Sequence, residues 1–123
     1  MKTALLVEDN DLYREEIRDL LSSRFPLWRI LEAADGAEAL DALQRYEPQV
    51  VFMDIALPGE DGLSLTRKIK QEHPNITVAI LSSYDFPEYR EAAQESGADL
   101  YLVKGLVSPV EIIAVIEELP NCA

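Results

Sequence analysis

The sequence predicts an α/β fold: a five-stranded parallel sheet in the order 2-1-3-4-5, doubly wound with five helices. Three observations lead there. Five short apolar stretches recur, at residues 4–7, 28–34, 50–53, 76–81 and 100–103, and each has strand length. The segments between them place apolar residues at helical spacing, so strand and helix alternate five times. The second strand (Arg29 and Glu32) and the fifth (Tyr101) carry interior polar residues, whereas the first, third and fourth are nearly all apolar, which makes the former two the sheet edges. In a sheet of that order, ligands bind beyond the carboxyl ends of the first and third strands.

Taken in order, the first strand is uninterrupted Ala-Leu-Leu-Val, and the helix after it shows Tyr13, Ile17, Leu20 and Leu21 on one face. Trp28 belongs to the margin of the second strand as a packing residue. The third strand, Val-Val-Phe-Met, leads to a helix capped by Asp61 and closed by His73, whose position before Pro74 suits a helix C-terminus. After the fourth strand, Asp85 with Glu88 reads as a capping box. Tyr89, Ala92, Ala93 and Ser96 form the inner face of that helix, and Gly97 supplies a left-handed end. The last helix opens on Ser108-Pro109-Val110-Glu111, an N-cap serine with proline at the first turn and glutamate three residues on, and Pro120 stops it.

Composition bounds the function. At 123 residues, 48% hydrophobic and 28% charged, the chain is globular and is expected to form a single domain over 1–123 with no second one. Eleven basic against 23 acidic residues give a net charge of −12, a field that repels nucleic acid and anionic lipid. Direct DNA binding and membrane association are therefore excluded. No apolar run approaches the roughly 18 residues of a membrane span, and no signal-peptide pattern precedes the first strand. The one cysteine, Cys122, cannot form an internal disulfide, so a cytoplasmic setting is expected.

The chemistry gathers at the strand ends. Glu8-Asp9-Asn10-Asp11 follows the first strand and Asp54 ends the third, so at least three carboxylates converge. At an effective dielectric of about 20, two like charges 4 Å apart cost roughly 4 kcal/mol, and a divalent cation relieves that conflict. With oxygen ligands only, Mg²⁺ is favoured, with Mn²⁺ as the other candidate and Zn²⁺ disfavoured. Ser82 closes the fourth strand with a hydroxyl and Lys104 the fifth with an ammonium. Carboxylates, a cation, a hydroxyl and a lysine around one point suit an aspartate that becomes phosphorylated, because the added group needs a cation and donors.

Glu8-Asp9, Asp54 followed by Leu57-Pro58-Gly59 and Asp61-Gly62, Ser82-Ser83, Gly97-Ala98, and Tyr101 three residues before Lys104 form an ordered set spanning nearly the whole chain. On these residues the chain resembles a response-regulator receiver domain of two-component signalling. The resemblance implies that Asp54 is the phosphoacceptor for a sensor histidine kinase and that Mg²⁺ is held by Glu8, Asp9, Asp54 and the Ala56 carbonyl. It implies that Ser82 and Lys104 grip the phosphoryl group and that Tyr101 is the aromatic that turns on activation. The protein would then be a phosphoacceptor and not a turnover enzyme. Ser82-Ser83-Tyr84-Asp85, and a residue other than proline after Lys104, are most similar to receivers attached to LuxR-type helix-turn-helix outputs. Many family members carry a cis proline where this chain has Gly105. A cis bond before a non-proline costs about 2.5–4 kcal/mol, so trans is the cheaper geometry, although glycine accommodates either.

Other readings fit less well. A flavodoxin would need phosphate donors where Glu8 and Asp9 stand. A haloacid-dehalogenase-type phosphatase would need an acidic residue at position 56, and a P-loop hydrolase a GxxxxGK[ST] motif that is missing. A receiver-like module that works without phosphorylation is the remaining alternative. Positions 56 and 84, where polar side chains could hold a hydrolytic water, are Ala56 and the bulky Tyr84, so the phosphorylated state is expected to be long-lived. The last helix has a core stripe, Ile112, Val115, Ile116 and Leu119, and a second apolar set, Val110, Ile113 and Ala114. With Leu106 and Val107 expected to be exposed beside it, this set reads as an output surface on the fourth helix, fifth strand and fifth helix, for a homodimer or an output module.

Overall fold

The structure is a computed structural model that describes residues 1–120; Cys122 lies outside the described residues. Ten elements alternate: β1 (Thr3–Val7), α1 (Asp11–Arg24), β2 (Arg29–Ala33), α2 (Gly36–Arg45), β3 (Val50–Met53), α3 (Gly62–Glu72), β4 (Thr77–Ser82), α4 (Pro87–Glu95), β5 (Leu100–Val103) and α5 (Pro109–Glu117). The five strands pair in parallel in the order β2-β1-β3-β4-β5, with the polar-interrupted strands at the two edges as expected.

Strand periodicity divides the core. Leu5, Val7, Val51, Met53, Val78 and Ile80 face one side, where Leu43 of α2, Leu65 and Ile69 of α3 and Ala93 of α4 cover them. Ala4, Leu6, Val50, Phe52, Ala79 and Leu81 face the other, under Ile17 and Leu21 of α1 and Ile112, Val115 and Ile116 of α5. Burial on both faces is why these strands read as continuous apolar runs. Phe25 and Trp28 pack together at the margin of the second cluster, their ring centroids 6.0 Å apart.

Helix starts follow the capping residues with one exception. Asp61 accepts from the Leu63 and Ser64 amides at 2.8 and 2.9 Å, and Ser108 and Glu111 form the reciprocal box. His73 is the C-cap of α3, and Gly97 sits at φ +97° just beyond α4. The Asp85 box is not formed. Pro87 occupies the first turn of α4, which moves the cap position to Phe86, with no side-chain cap bond. Asp85 instead accepts from Arg90 at 2.8 Å. Asn10 and Asp35 cap α1 and α2 by bonds to the Tyr13 and Glu38 amides. Among the described residues no peptide bond is cis, so Lys104–Gly105 is trans, with Gly105 at φ +86°. No described helix is long and apolar enough to cross a membrane.

Candidate functional site

The register delivers the site. Val7 pairs with Met53, so Glu8 and Asp54 leave adjacent strands side by side. The amide of Asp54 still donates to Val7 O at 3.0 Å and that of Glu8 to Ala33 O at 2.9 Å, so both backbones are fixed as extensions of the sheet. Ser82 pairs with Val103, and the Lys104 amide donates to Ser82 O at 2.8 Å, placing the fifth-strand lysine beside the fourth-strand hydroxyl.

Glu8 and Asp54 are each only 6% exposed, whereas Asp9 is open to solvent. One carboxylate oxygen from each of the three lies within 4.8 Å of the others. Such a set of hard oxygen donors fits Mg²⁺ or Mn²⁺. Lys104 reaches into the same cluster: its ammonium contacts the Glu8 carboxylate and lies 3.2 Å from Asp54 Oδ2. Burial pushes the Glu8 carboxyl up against the opposing pull of Lys104 and the Asn10 amide. For Lys104, burial works against the charge, but Glu8 and Asp54 outweigh it, so its affinity for the proton is raised and it remains an ammonium. Asp54 Oδ1 accepts from the Ala56 amide at 3.3 Å, which orients the carboxylate.

Three residues not singled out for this role complete the site. The Arg14 guanidinium donates to Glu8 O at 2.6 Å and reaches Asp11 and Glu32, pinning the loop after β1. The Tyr13 ring centroid lies 4.9 Å from the Lys104 ammonium. Gly62, noted in sequence only as part of a motif, lies so close to β3 that a Cβ there would meet Asp54 O at 1.9 Å. An arginine at helical spacing from Asp11 was a readable signal; the other two depend on tertiary approach.

Ser82 is fully buried, and its Oγ accepts from the Tyr84 amide at 3.1 Å, leaving its own proton to donate. The Tyr101 hydroxyl donates to Tyr84 O at 2.7 Å. Tyr84 thus joins the strand-end hydroxyl to the edge aromatic, while its ring stacks on Tyr89 at 4.6 Å. Ala56 is exposed with no polar group. On the expected output surface, Leu106 and Val110 are 71% and 74% exposed. Ile113 and Ala114 are half-buried. Val107 corrects the sequence expectation: it is half-buried and packs against the α1–α5 core, because the loop after β5 folds back through the Val107 amide bond to Val103 O at 2.9 Å.

Comparison with known proteins gives the family of the chain. The chain is 31% identical over 118 residues to the chemotaxis protein CheY of Halobacterium salinarum, covering 96% of this chain and 97% of that protein. It is 29% identical over 115 residues to the transcriptional regulatory protein DegU of Brevibacillus brevis, and the match spans 89% of this chain but only 49% of DegU. A DNA-binding response regulator of the LuxR family from Staphylococcus aureus superposes with a TM-score of 0.88 at 28% identity, covering 98% of this chain and 100% of that one. Residues 4–117 match the response regulator receiver domain family. An acidic cluster flanked by a strand-end hydroxyl and lysine, on this topology and over this length of match, places the chain in the response regulator receiver domain family of two-component signalling.

Proposed function

We propose that the chain accepts a phosphoryl group on Asp54 from a sensor histidine kinase, in a reaction that depends on a divalent cation. The observation that carries this reading is the approach of Glu8, Asp9 and Asp54 oxygens to within 4.8 Å, with the Lys104 ammonium against two of them. An Asp54 carboxylate oxygen attacks phosphorus, the bond to the donor's leaving nitrogen or oxygen breaks, and an acyl phosphate remains. Glu8, Asp9, Asp54 and the Ala56 carbonyl would hold the cation, which would offset negative charge on the transferring group. Lys104 and the Ser82 hydroxyl donate to phosphoryl oxygens. The chain contributes an acceptor that is consumed once per event, so it is a signalling module and not a turnover enzyme.

Phosphorylation would be read out through Tyr84. When the Ser82 hydroxyl turns to a phosphoryl oxygen, the Tyr84 segment bonded to it shifts, and Tyr101, held by Tyr84 O, turns with it. The surface of α4, β5 and α5, including Leu106, Val110, Ile113 and Ala114, then associates with a second copy or an output module. Coupling of about 1–3 kcal/mol between the two sites is the expected size. A single domain acting in the cytoplasm, with neither nucleic acid nor membrane as a direct partner, belongs to the same reading.

The test is incubation with acetyl phosphate and Mg²⁺ followed by intact mass. Wild type should gain one phosphoryl group, and both Asp54→Asn and wild type with excess chelator should gain none. Modification of Asp54→Asn would overturn the assignment, and an unmodified wild type would favour a module that works without phosphorylation.

A further inference from the structure

Outside the carboxylate cluster, the proposed reaction leaves unused an aromatic side chain that meets Lys104, that of Tyr13. It lies in the first turn of α1, half-buried, with its backbone amide held by the Asn10 cap at 3.0 Å. Its ring centroid is 4.9 Å from the Lys104 ammonium, within the roughly 6 Å over which a ring face attracts a cation. Burial, and then the charges of Glu8, Glu16 and Asp54, push its phenol up to about 12, so the ring stays neutral and offers Lys104 a π face instead of an anion. Among the described residues its hydroxyl has no hydrogen-bond partner, so the face and not the oxygen makes the contact.

We propose that Tyr13 is a positioning residue for Lys104, holding the ammonium beside Asp54 through its ring face. This rests on the reading of Asp54 as the acceptor and adds a part to it. The backbone of Lys104 is fixed by its amide bond to Ser82 O at 2.8 Å, but the long side chain beyond Cα is steered only by what its ammonium meets. Its other two contacts, Glu8 and Asp54, are the groups whose charge is neutralised when a cation or a phosphoryl group arrives. The ring is the one contact of the three that this change leaves in place. A π face is a weaker acceptor than a carboxylate, so it holds the ammonium while competing little with phosphoryl oxygens for its N–H donors.

The test compares Tyr13→Phe, which keeps the face, with Tyr13→Leu, which removes it. Each is made in the wild-type and Lys104→Met backgrounds of the full chain. Phosphorylation by acetyl phosphate with Mg²⁺ is followed by intact mass over a range of donor concentrations. Tyr13→Phe should stay within about twofold of wild type. Tyr13→Leu should lower the maximal rate about three- to tenfold with little change in half-saturation, and should have no further effect once Lys104 is Met. A second readout needs no phosphorylation: the Lys104 ε-methylene protons should show an upfield ring-current shift in wild type and Tyr13→Phe that disappears in Tyr13→Leu. Full additivity of the Tyr13→Leu and Lys104→Met effects, or unchanged Lys104 shifts in Tyr13→Leu, would overturn the inference. Failure of wild type to take a phosphoryl group, with the ring-current shift present, would instead remove the Asp54 reading and leave the contact standing.

Discussion

Gly62→Ala tests whether the turn from β3 to α3 sets the position of Asp54. A Cβ at residue 62 would lie 1.9 Å from Asp54 O, 2.8 Å from Asp54 C and 3.0 Å from the Ile55 Cα. These are backbone atoms, so no side chain can swing aside, and the turn must open by about 1 Å at its closest point. The Gly62 amide donates to Ile55 O at 2.9 Å, and that bond stretches as the turn opens. Overpacking of this kind costs about 1–3 kcal/mol, against which alanine recovers about 0.4–1 kcal/mol by restricting the unfolded chain. A net loss of about 1–2 kcal/mol follows, several degrees in melting temperature for a domain of this size. Because the atom that moves carries Asp54, a 1 Å displacement is also expected to slow phosphorylation on the order of 100-fold. Gly36→Ala is the matched control, since Gly36 also opens its helix but a Cβ there meets Glu60 and Leu65 side-chain atoms at 3.4 Å, ordinary contact. Thermal melts and acetyl phosphate time courses on both variants decide the matter. Equal melting temperatures and equal rates for the two alanine variants would refute the reasoning.

Three further outcomes are expected. Asp61→Ala removes the cap of α3 and should cost about 1 kcal/mol near neutral pH by chemical denaturation. Backbone bonding from Ser64 holds the Asp61 carboxyl below its ordinary range, so the stabilisation is complete above the ordinary carboxylate pKa and is lost as pH falls through the lowered folded value. The gap between wild type and variant should therefore close as the pH falls below the ordinary carboxylate range, and a gap that widens with acid would contradict the cap. Ala56→Asn with Tyr84→Glu should shorten the lifetime of the phosphorylated state in a chase after donor removal. Because the Tyr84 ring is stacked on Tyr89, most of the change should come from position 56. Ile113→Lys should weaken phosphorylation-dependent self-association in sedimentation while Asp54 is still fully modified; unchanged sedimentation would move the output surface elsewhere.

The sheet was legible because strands buried on both faces carry almost nothing but apolar residues, as in 50–53, while Arg29 and Tyr101 mark strands with an open edge. Caps at Asp61 and Ser108 were legible because they depend on three or four consecutive residues. Asp85 misled for the same local reason: its spacing to Glu88 fits a box, but Pro87 decides where α4 begins. The carboxylates and Lys104 could be placed once strand order was known, since each follows the last residue of a strand. Tyr13 over Lys104 and Gly62 under Asp54 could not, the first because a helix start packs against the end of a strand far along the chain, the second because it depends on how tightly the turn from β3 to α3 closes. Val107 shows the same limit, its burial being set by a fold-back of the loop after β5.

The most direct test of the central claim is to locate the phosphoryl group in the chain. Protein treated with acetyl phosphate and Mg²⁺ is reduced with borohydride, which converts an aspartyl phosphate to homoserine, then digested and sequenced by mass spectrometry. The account predicts homoserine at position 54 and at no other aspartate. Homoserine at Asp9 or another carboxylate, or a phosphoryl group retained on a serine or on His73, would contradict it.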